Sequence, residues 1–201
     1  MKEALSEKTV SKNPFHQFEQ WYNEHLAQKI AIPEAVFLGT ASEDGKVSVR
    51  TVLMKDYGDT GFTFYTNYNS KKGIQLGKNN QAALLFYWPE SNRQVRIEGV
   101  TEKVEPVVSD AYFETRPRES QIGSWASPQS SEISDRECLE ENFTHYKSVY
   151  SGVSVPRPPH WGGYRIIPDW FEFWEDRENR LHDRITYTRK GAGWNIARLA
   201  P

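Results

Sequence analysis

The chain has 201 residues and carries 25 Lys and Arg against 27 Asp and Glu, a formal net charge of -2, so no global field draws it to nucleic acid or acidic membranes. One cysteine, Cys138, excludes an internal disulfide and a cysteine-based zinc cluster, and no metal site is expected. No apolar run approaches bilayer-spanning length, and we expect a soluble protein in a reducing, cytoplasmic setting.

Residues 1–12 are polar and are expected to form a mobile N-terminal segment before a single domain over 13–201. Asn13-Pro14 reads as a helix cap followed by proline in the first turn. Phe15, Phe18, Tyr22, Leu26 and Ile30 then recur at helical spacing, with Trp21 beside them, until Pro33 stops the helix. Ala35–Ala41 is a short apolar strand, and Ser42-Glu43-Asp44-Gly45 is a hairpin turn with glycine where φ must be positive. The next strand, Lys46–Lys55, places Arg50, Val52 and Met54 on one face and Thr51, Leu53 and Lys55 on the other. Arg50 and Lys55 should then serve different groups unless a bulge intervenes. Asp56–Gly61 turns the chain into a third strand, Gly61–Asn67.

Ser70 can cap a short helix over 71–78, which gathers Lys71, Lys72 and free backbone N–H groups at its positive end. That lysine pair either cradles a phosphate or stands as two solvated charges. Gln81–Trp88 is apolar on both faces, as in a closed barrel or under a subunit interface. After a Pro89–Asn92 turn, Gln94, Arg96 and Glu98 share one face of a strand running to Val104, which suits either a heterocycle or solvent; Gly99 interrupts the pleat. Pro106–Thr115 reads as a helix with Tyr112 and Arg116 one turn apart, and Pro117 turns the chain so that Ser120 comes near. Such a cluster can hold a second phosphate. Gln121–Ser130 reads as a polar loop, and Ser131–Tyr150 as a helix with Ile133, Leu139, Phe143 and Tyr146 toward the core and a structural Cys138.

Val153–His160 is proline-rich and extended, and W-G-G-Y-R-I-I-P-D-W-F-E-F-W leads into N-R-L-H-D-R. In an extended segment Arg180, His182 and Arg184 point one way and Leu181 and Asp183 the other. Clustered cations of this kind want an anion or an electron-rich ring, or else a hydrated strand edge. A hairpin over 185–199 closes the chain.

In these motifs the chain resembles the pyridoxine/pyridoxamine 5'-phosphate oxidase family. The matching runs are R-T-V-L-M-K (50–55), F-Y-T-N (64–67), S-K-K-G (70–73), L-L-F-Y-W-P-E (84–90), R-Q-V-R-I-E-G (93–99), R-P-R-E-S (116–120), R-P-P-H-W-G-G-Y (157–164), F-E-F-W (171–174), R-L-H-D-R-I-T-Y (180–187) and the final R-L-A-P. The resemblance implies a mainly β fold with flanking helices (α+β), an FMN-binding split β-barrel of Greek-key type, homodimeric with FMN between subunits. It places cofactor contacts on Arg50, Thr51, Val52, Leu53, Met54, Lys55, Tyr65, Thr66, Lys71, Lys72, Gln94, Gln129, Ser130, Trp174 and Arg184. Substrate contacts fall on Lys55, Tyr112, Arg116, Ser120, Arg180, Leu181 and His182, with Arg180 and His182 as the catalytic pair. It further implies oxidation of pyridoxine 5'-phosphate or pyridoxamine 5'-phosphate to pyridoxal 5'-phosphate, with O2 as acceptor and H2O2 as by-product. Lys71 departs from the family, which usually has arginine there, and loses the bidentate fork. A phenazine-biosynthesis flavin oxidase and a non-catalytic flavin or pyridoxal-phosphate carrier are the alternatives on the same barrel.

Overall fold

The computed structural model describes residues 5–201. Eight antiparallel strands form one sheet: β1 (Ala35–Ala41), β2 (Val47–Gly58), β3 (Gly61–Asn67), β4 (Gln81–Trp88), β5 (Arg93–Lys103), β6 (Trp161–Glu175), β7 (Asp183–Lys190) and β8 (Gly193–Arg198). Their order is β3-β2-β1-β4-β5-β6-β7-β8, and β3 also pairs with β6. That extra pairing closes β1 to β6 into a barrel and leaves the β7–β8 hairpin outside it. Strands β1 to β4 lie in the order β3-β2-β1-β4, the Greek-key arrangement, as the resemblance implied.

Five helices flank the barrel: α1 (Pro14–Leu26), α2 (Lys71–Lys78), α3 (Pro106–Glu114), α4 (Arg118–Ala126) and α5 (Arg136–Val149). Asn13 caps α1 by accepting from the Phe15 amide at 2.9 Å. The helix then lays Phe18 into the barrel, with ring centroids 4.9 Å from both Phe62 and Phe86. Around it Leu38, Val95, Ile97, Ile166, Phe171, Phe173 and Ile185 are fully buried, a ring-filled core as the aromatic content suggested. A second, smaller cluster of Phe113, Ile122, Val155 and Trp161 sits under α3 and α4.

Several elements differ from expectation. The first helix stops at Leu26, which is exposed, and Lys29 takes a left-handed φ of 55°, so the chain turns before Ile30. β2 runs on to Gly58, and the following turn shrinks to Asp59-Thr60. The stretch expected as a polar loop holds helix α4, anchored by buried Ile122 and Ala126 one turn apart. α5 begins only at Arg136, after an Asp135 cap, and buries none of its residues fully; Ile133 lies outside it and is exposed. Residues 5–12 pack on the barrel: Leu5 and Val10 join its core, and the Ser11 carbonyl accepts from Tyr187 Oη at 2.7 Å. Residues 1–4 of the segment expected to be mobile lie outside the described residues. β4 buries Ala82, Leu84, Phe86 and Trp88 inward, while Tyr87 stands exposed on its outer face, as does Phe37 on β1.

The expected extended run over 180–182 is also corrected. Glu178–Arg180 is a 3-10 turn, and Asn179 and Arg180 both take left-handed φ, 57° and 60°. The alternation that would align Arg180, His182 and Arg184 therefore does not extend past β7. No helix among the described residues is long and apolar enough to cross a membrane.

Candidate active site

A cleft of about 740 Å³ opens between the β2–β3 face and helices α3 and α4. Of the residues expected at a site, Thr51, Val52, Leu53, Lys55, Tyr65, Thr66, Lys72, Tyr112, Arg116, Ser120 and Gln129 line it. Five elements from three sequence regions thus meet there.

Lys72 sits at the start of α2, whose cap is Ser70; the Ser70 hydroxyl accepts from the Gly73 amide at 3.3 Å. The cap turns the helix so that Lys72 points inward and is buried, while Lys71 remains exposed. The Lys72 ammonium donates to Thr66 Oγ1 at 3.1 Å, Ser70 Oγ at 3.4 Å and Gln129 Oε1 at 3.4 Å. All three acceptors are neutral, and no carboxylate pairs with Lys72 among the described residues. Burial, and after it the Arg50 charge, hold its pKa below the ordinary lysine value.

Arg50 reaches under β1, donating to the Leu38 carbonyl at 3.1 Å and to Thr40 Oγ1 at 2.6 Å, and its other arm lies 3.4 Å from Gln75 Oε1. It too has no carboxylate partner among the described residues, and burial lowers its pKa. Two partly desolvated cations facing only neutral groups are costly unless an anion joins them. Met54, between the cleft-lining residues, turns its side chain into the core instead.

At the α3–α4 end, Arg116 donates to Ser124 Oγ at 2.6 Å and lies 4.6 Å from the Trp161 ring centroid. Burial lowers its pKa, and again no carboxylate among the described residues pairs with it. Tyr65 and Tyr112 stack at 3.9 Å, and Tyr65 stacks on Trp161 at 5.5 Å. The stack depends on Gly163, where a Cβ would stand 2.9 Å from Tyr65 Cε1; a Cβ at Gly162 would instead stand 2.1 Å from Tyr68 Oη, outside the stack. Trp161 and Ser124 were missed as site residues; the adjacent glycines beside a tryptophan were the sequence signal for the first. Lys55 sits at the register shift between Met54 and Asp56, so the bulge allowed for in the sequence does intervene; Lys55 lines the cleft, while Arg50 lies behind it. The Lys55 ammonium is 3.0 Å from Glu34 Oε1.

The remaining expected residues sit elsewhere. Gln94, Trp174 and Arg184 face one another across β5, β6 and β7 in register. His182 packs its ring 4.7 Å from Trp174, and its Nδ1 is 2.9 Å from Asp176 Oδ1. Arg184 is held by buried Glu172, which also pairs with Arg96 at 2.9 Å. Arg180 and Leu181 are exposed, as is Ser130, with a left-handed φ of 70°. The cleft residue Thr66 pairs with Gly162 of β6, whereas Trp174 lies twelve residues further along that strand. At ~3.3 Å per residue the two groups are about 40 Å apart along the strand. Gln94, Trp174, Arg180, His182 and Arg184 are not among the residues that line the cleft.

Comparison with known proteins agrees with this architecture. The family described as "Pyridoxamine 5'-phosphate oxidase" matches residues 22–150, and the "Pyridoxine 5'-phosphate oxidase C-terminal dimerisation region" matches residues 161–201. A pyridoxine/pyridoxamine 5'-phosphate oxidase from Nostoc punctiforme is 50% identical over 99% of this chain and 94% of its own length. Its counterpart from Cupriavidus taiwanensis is 50% identical over 98% and 93%. Among solved structures, PhzG from Burkholderia lata in complex with tetrahydrophenazine-1-carboxylic acid superposes with a TM-score of 0.91 at 32% identity, covering 99% of this chain and 98% of that one. A pyridoxamine 5'-phosphate oxidase-related, FMN-binding protein from Nostoc punctiforme shares the fold, with a TM-score of 0.74 at 16% identity over 96% of this chain and all of that one. With two family regions matched in order and half of the residues shared with full-length relatives, the chain belongs to the pyridoxamine 5'-phosphate oxidase family of oxidoreductases.

Proposed function

We propose that this protein is an FMN-dependent oxidase that converts pyridoxine 5'-phosphate, or pyridoxamine 5'-phosphate with water consumed and ammonia released, to pyridoxal 5'-phosphate, with O2 as acceptor and H2O2 as by-product. The observation that carries this reading is a pair of buried or half-buried cations, Lys72 and Arg116, in one cleft, neither with a carboxylate partner among the described residues. Such a cleft fits two separate phosphates. Lys72, with Arg50 behind it and the α2 N-terminus beside it, would hold the FMN phosphate, and Thr66 and Gln129 would fix its oxygens. When bound, FMN accepts two electrons from the substrate and passes them to O2.

Arg116, Tyr112, Ser120 and Lys55 would hold the substrate phosphate and so fix the substrate's orientation, which contributes much of the rate effect in such reactions. Arg180 and His182 would cover the substrate ring, and His182, oriented by Asp176, would hydrogen-bond its oxygen substituent. Because these two, with Gln94, Trp174 and Arg184, are remote from the cleft in one chain, a second copy would supply them. An apolar outer face of β1, β2 and β4 supports a homodimer: Phe37 is 43% exposed, Val47 75%, Val49 67% and Tyr87 54%. The cytoplasm, where both substrate esters are charged and retained, would be its compartment.

Anaerobic titration of the purified protein with pyridoxine 5'-phosphate tests the reading. Flavin absorption should bleach and recover on admitting air. A yellow protein that does not bleach with the ester, but does with a tetrahydrophenazine carboxylic acid, would favour the activity suggested by the PhzG likeness. A colourless protein that FMN cannot reconstitute would refute the role given to Lys72 and Arg50.

A further inference from the structure

Lys55 differs from the other cations of the cleft. Lys72 and Arg116 have only neutral partners, whereas Lys55 is already neutralised by Glu34 at 3.0 Å. The pairing is built into the backbone. Glu34 immediately precedes β1, and its carbonyl accepts from the Met54 amide at 2.9 Å, one residue before Lys55 on β2. This fixes the Glu34 carboxylate beside the mouth of the cleft. Its side chain and that of Lys55 are both partly shielded, 29% and 26% exposed. Its own backbone amide, and then Lys55, hold the Glu34 carboxyl below the usual carboxylate range, so it is ionised at neutral pH.

We propose that Glu34 is a specificity-determining residue that acts as an internal competitor of the substrate phosphate for Lys55. The inference rests on the reading of Lys55 and Arg116 as the substrate-phosphate site. An arriving phosphate must share Lys55 with a carboxylate or displace it, and it feels the like charge of Glu34 in either case. Glu34 therefore weakens the hold on both phosphorylated substrate and phosphorylated product. Arg116 has no such competitor and stays available throughout.

The test is a double-mutant cycle on the FMN-loaded protein, with inorganic phosphate as the probe and its binding read by calorimetry. Glu34→Gln keeps the shape and hydrogen-bonding capacity but removes the charge. It should tighten phosphate binding by up to about fivefold, the range of partly exposed ion pairs. The gain should vanish when Lys55→Met is also present. In steady state, Glu34→Gln should lower KM for pyridoxine 5'-phosphate by a similar factor while KM for unphosphorylated pyridoxine stays constant. Unchanged or weaker phosphate binding in a Glu34→Gln protein of normal melting temperature would overturn the proposal, because Glu34 would then be orienting Lys55 rather than competing for it. Tightening that persists without Lys55 would overturn it as well. If the wild type binds phosphate but never oxidises the ester, the functional reading fails while the Glu34 effect is still measured.

Discussion

Replacing Lys72 with methionine should change two properties in opposite directions. The ammonium is buried, held by three neutral oxygens, and electrostatically opposed by Arg50. In the cofactor-free protein, Lys72→Met removes an uncompensated charge and retains most of the aliphatic volume. Replacing poorly compensated buried charge by apolar atoms is neutral or stabilising by on the order of 1 kcal/mol, which for a chain of this size is about 2–4 °C in Tm. In the FMN complex the same change removes one partner of a buried charge pair, a loss of roughly 2–5 kcal/mol. FMN Kd should then rise by roughly 30-fold to several-thousand-fold. Differential scanning fluorimetry of the FMN-free protein and flavin-fluorescence titration measure the two halves. The lysine contribution also has a pH signature. A cation with a lowered folded pKa leaves the unfolded state with more bound protons, so it weakens stability at neutral pH and that penalty fades as pH rises toward the ordinary lysine value of 10.5. The difference in Tm between Lys72→Met and wild type should therefore shrink in alkali. A variant that melts lower without cofactor and still binds FMN within threefold of wild type would refute the assignment of Lys72 to an anion.

Three further outcomes are expected. Arg180→Ala should slow flavin reduction by about 100-fold or more in anaerobic stopped flow, the scale of a lost positioning contact, with little change in FMN affinity; reduction at the wild-type rate would remove Arg180 from the site. Gly99→Ala should destabilise by about 1–3 kcal/mol in urea unfolding, because its Cβ would stand 2.1 Å from the Ile167 carbonyl oxygen, a backbone atom with no room to retreat. His25 is buried against Trp88, its Nδ1 has no hydrogen-bond partner among the described residues, and burial lowers its pKa. The unfolded chain therefore binds the proton first, stability falls as pH drops below the ordinary histidine value of 6.5, and His25→Phe should flatten that acid limb in Tm against pH.

The legible parts of the fold were those in which local chemistry decides the outcome. Ala35–Ala41, Gly61–Asn67 and Gln81–Trp88 match the observed strands because each is a short apolar run bounded by turn residues. The α2 start follows from Ser70, whose hydroxyl is a cap in any context. α4 was hidden because only Ile122 and Ala126 face the core, too sparse a stripe to stand out from polar neighbours. The packing of 5–12 was hidden because Leu5 and Val10 meet partners from the far end of the chain, including β7. Within the site, Lys72 and Arg116 were legible as cations near helix ends, but the Lys55–Glu34 pair was not. It joins residues 21 apart through a strand pairing. The bend at Asn179 and Arg180 likewise overrides the alternation expected for R-L-H-D-R.

Strand β6 pairs with β3, β5 and β7, and its pairing with β3 is the one that closes the barrel. The N-terminal family region ends at residue 150, before β6 begins at Trp161. A nascent chain of that length has made β1 to β5 but has nothing to cover the edges of β3 and β5. Both edges carry buried-face aromatics or aliphatics and unpaired amides, the features that seed intermolecular sheet. Closing β3 onto β6 joins residues about 100 apart, as Phe62 to Ile166, so the closure entropy falls late and all at once. Folding thus commits only when the last strands leave the ribosome. Chains stalled or truncated within α5 should aggregate rather than persist as a partial barrel.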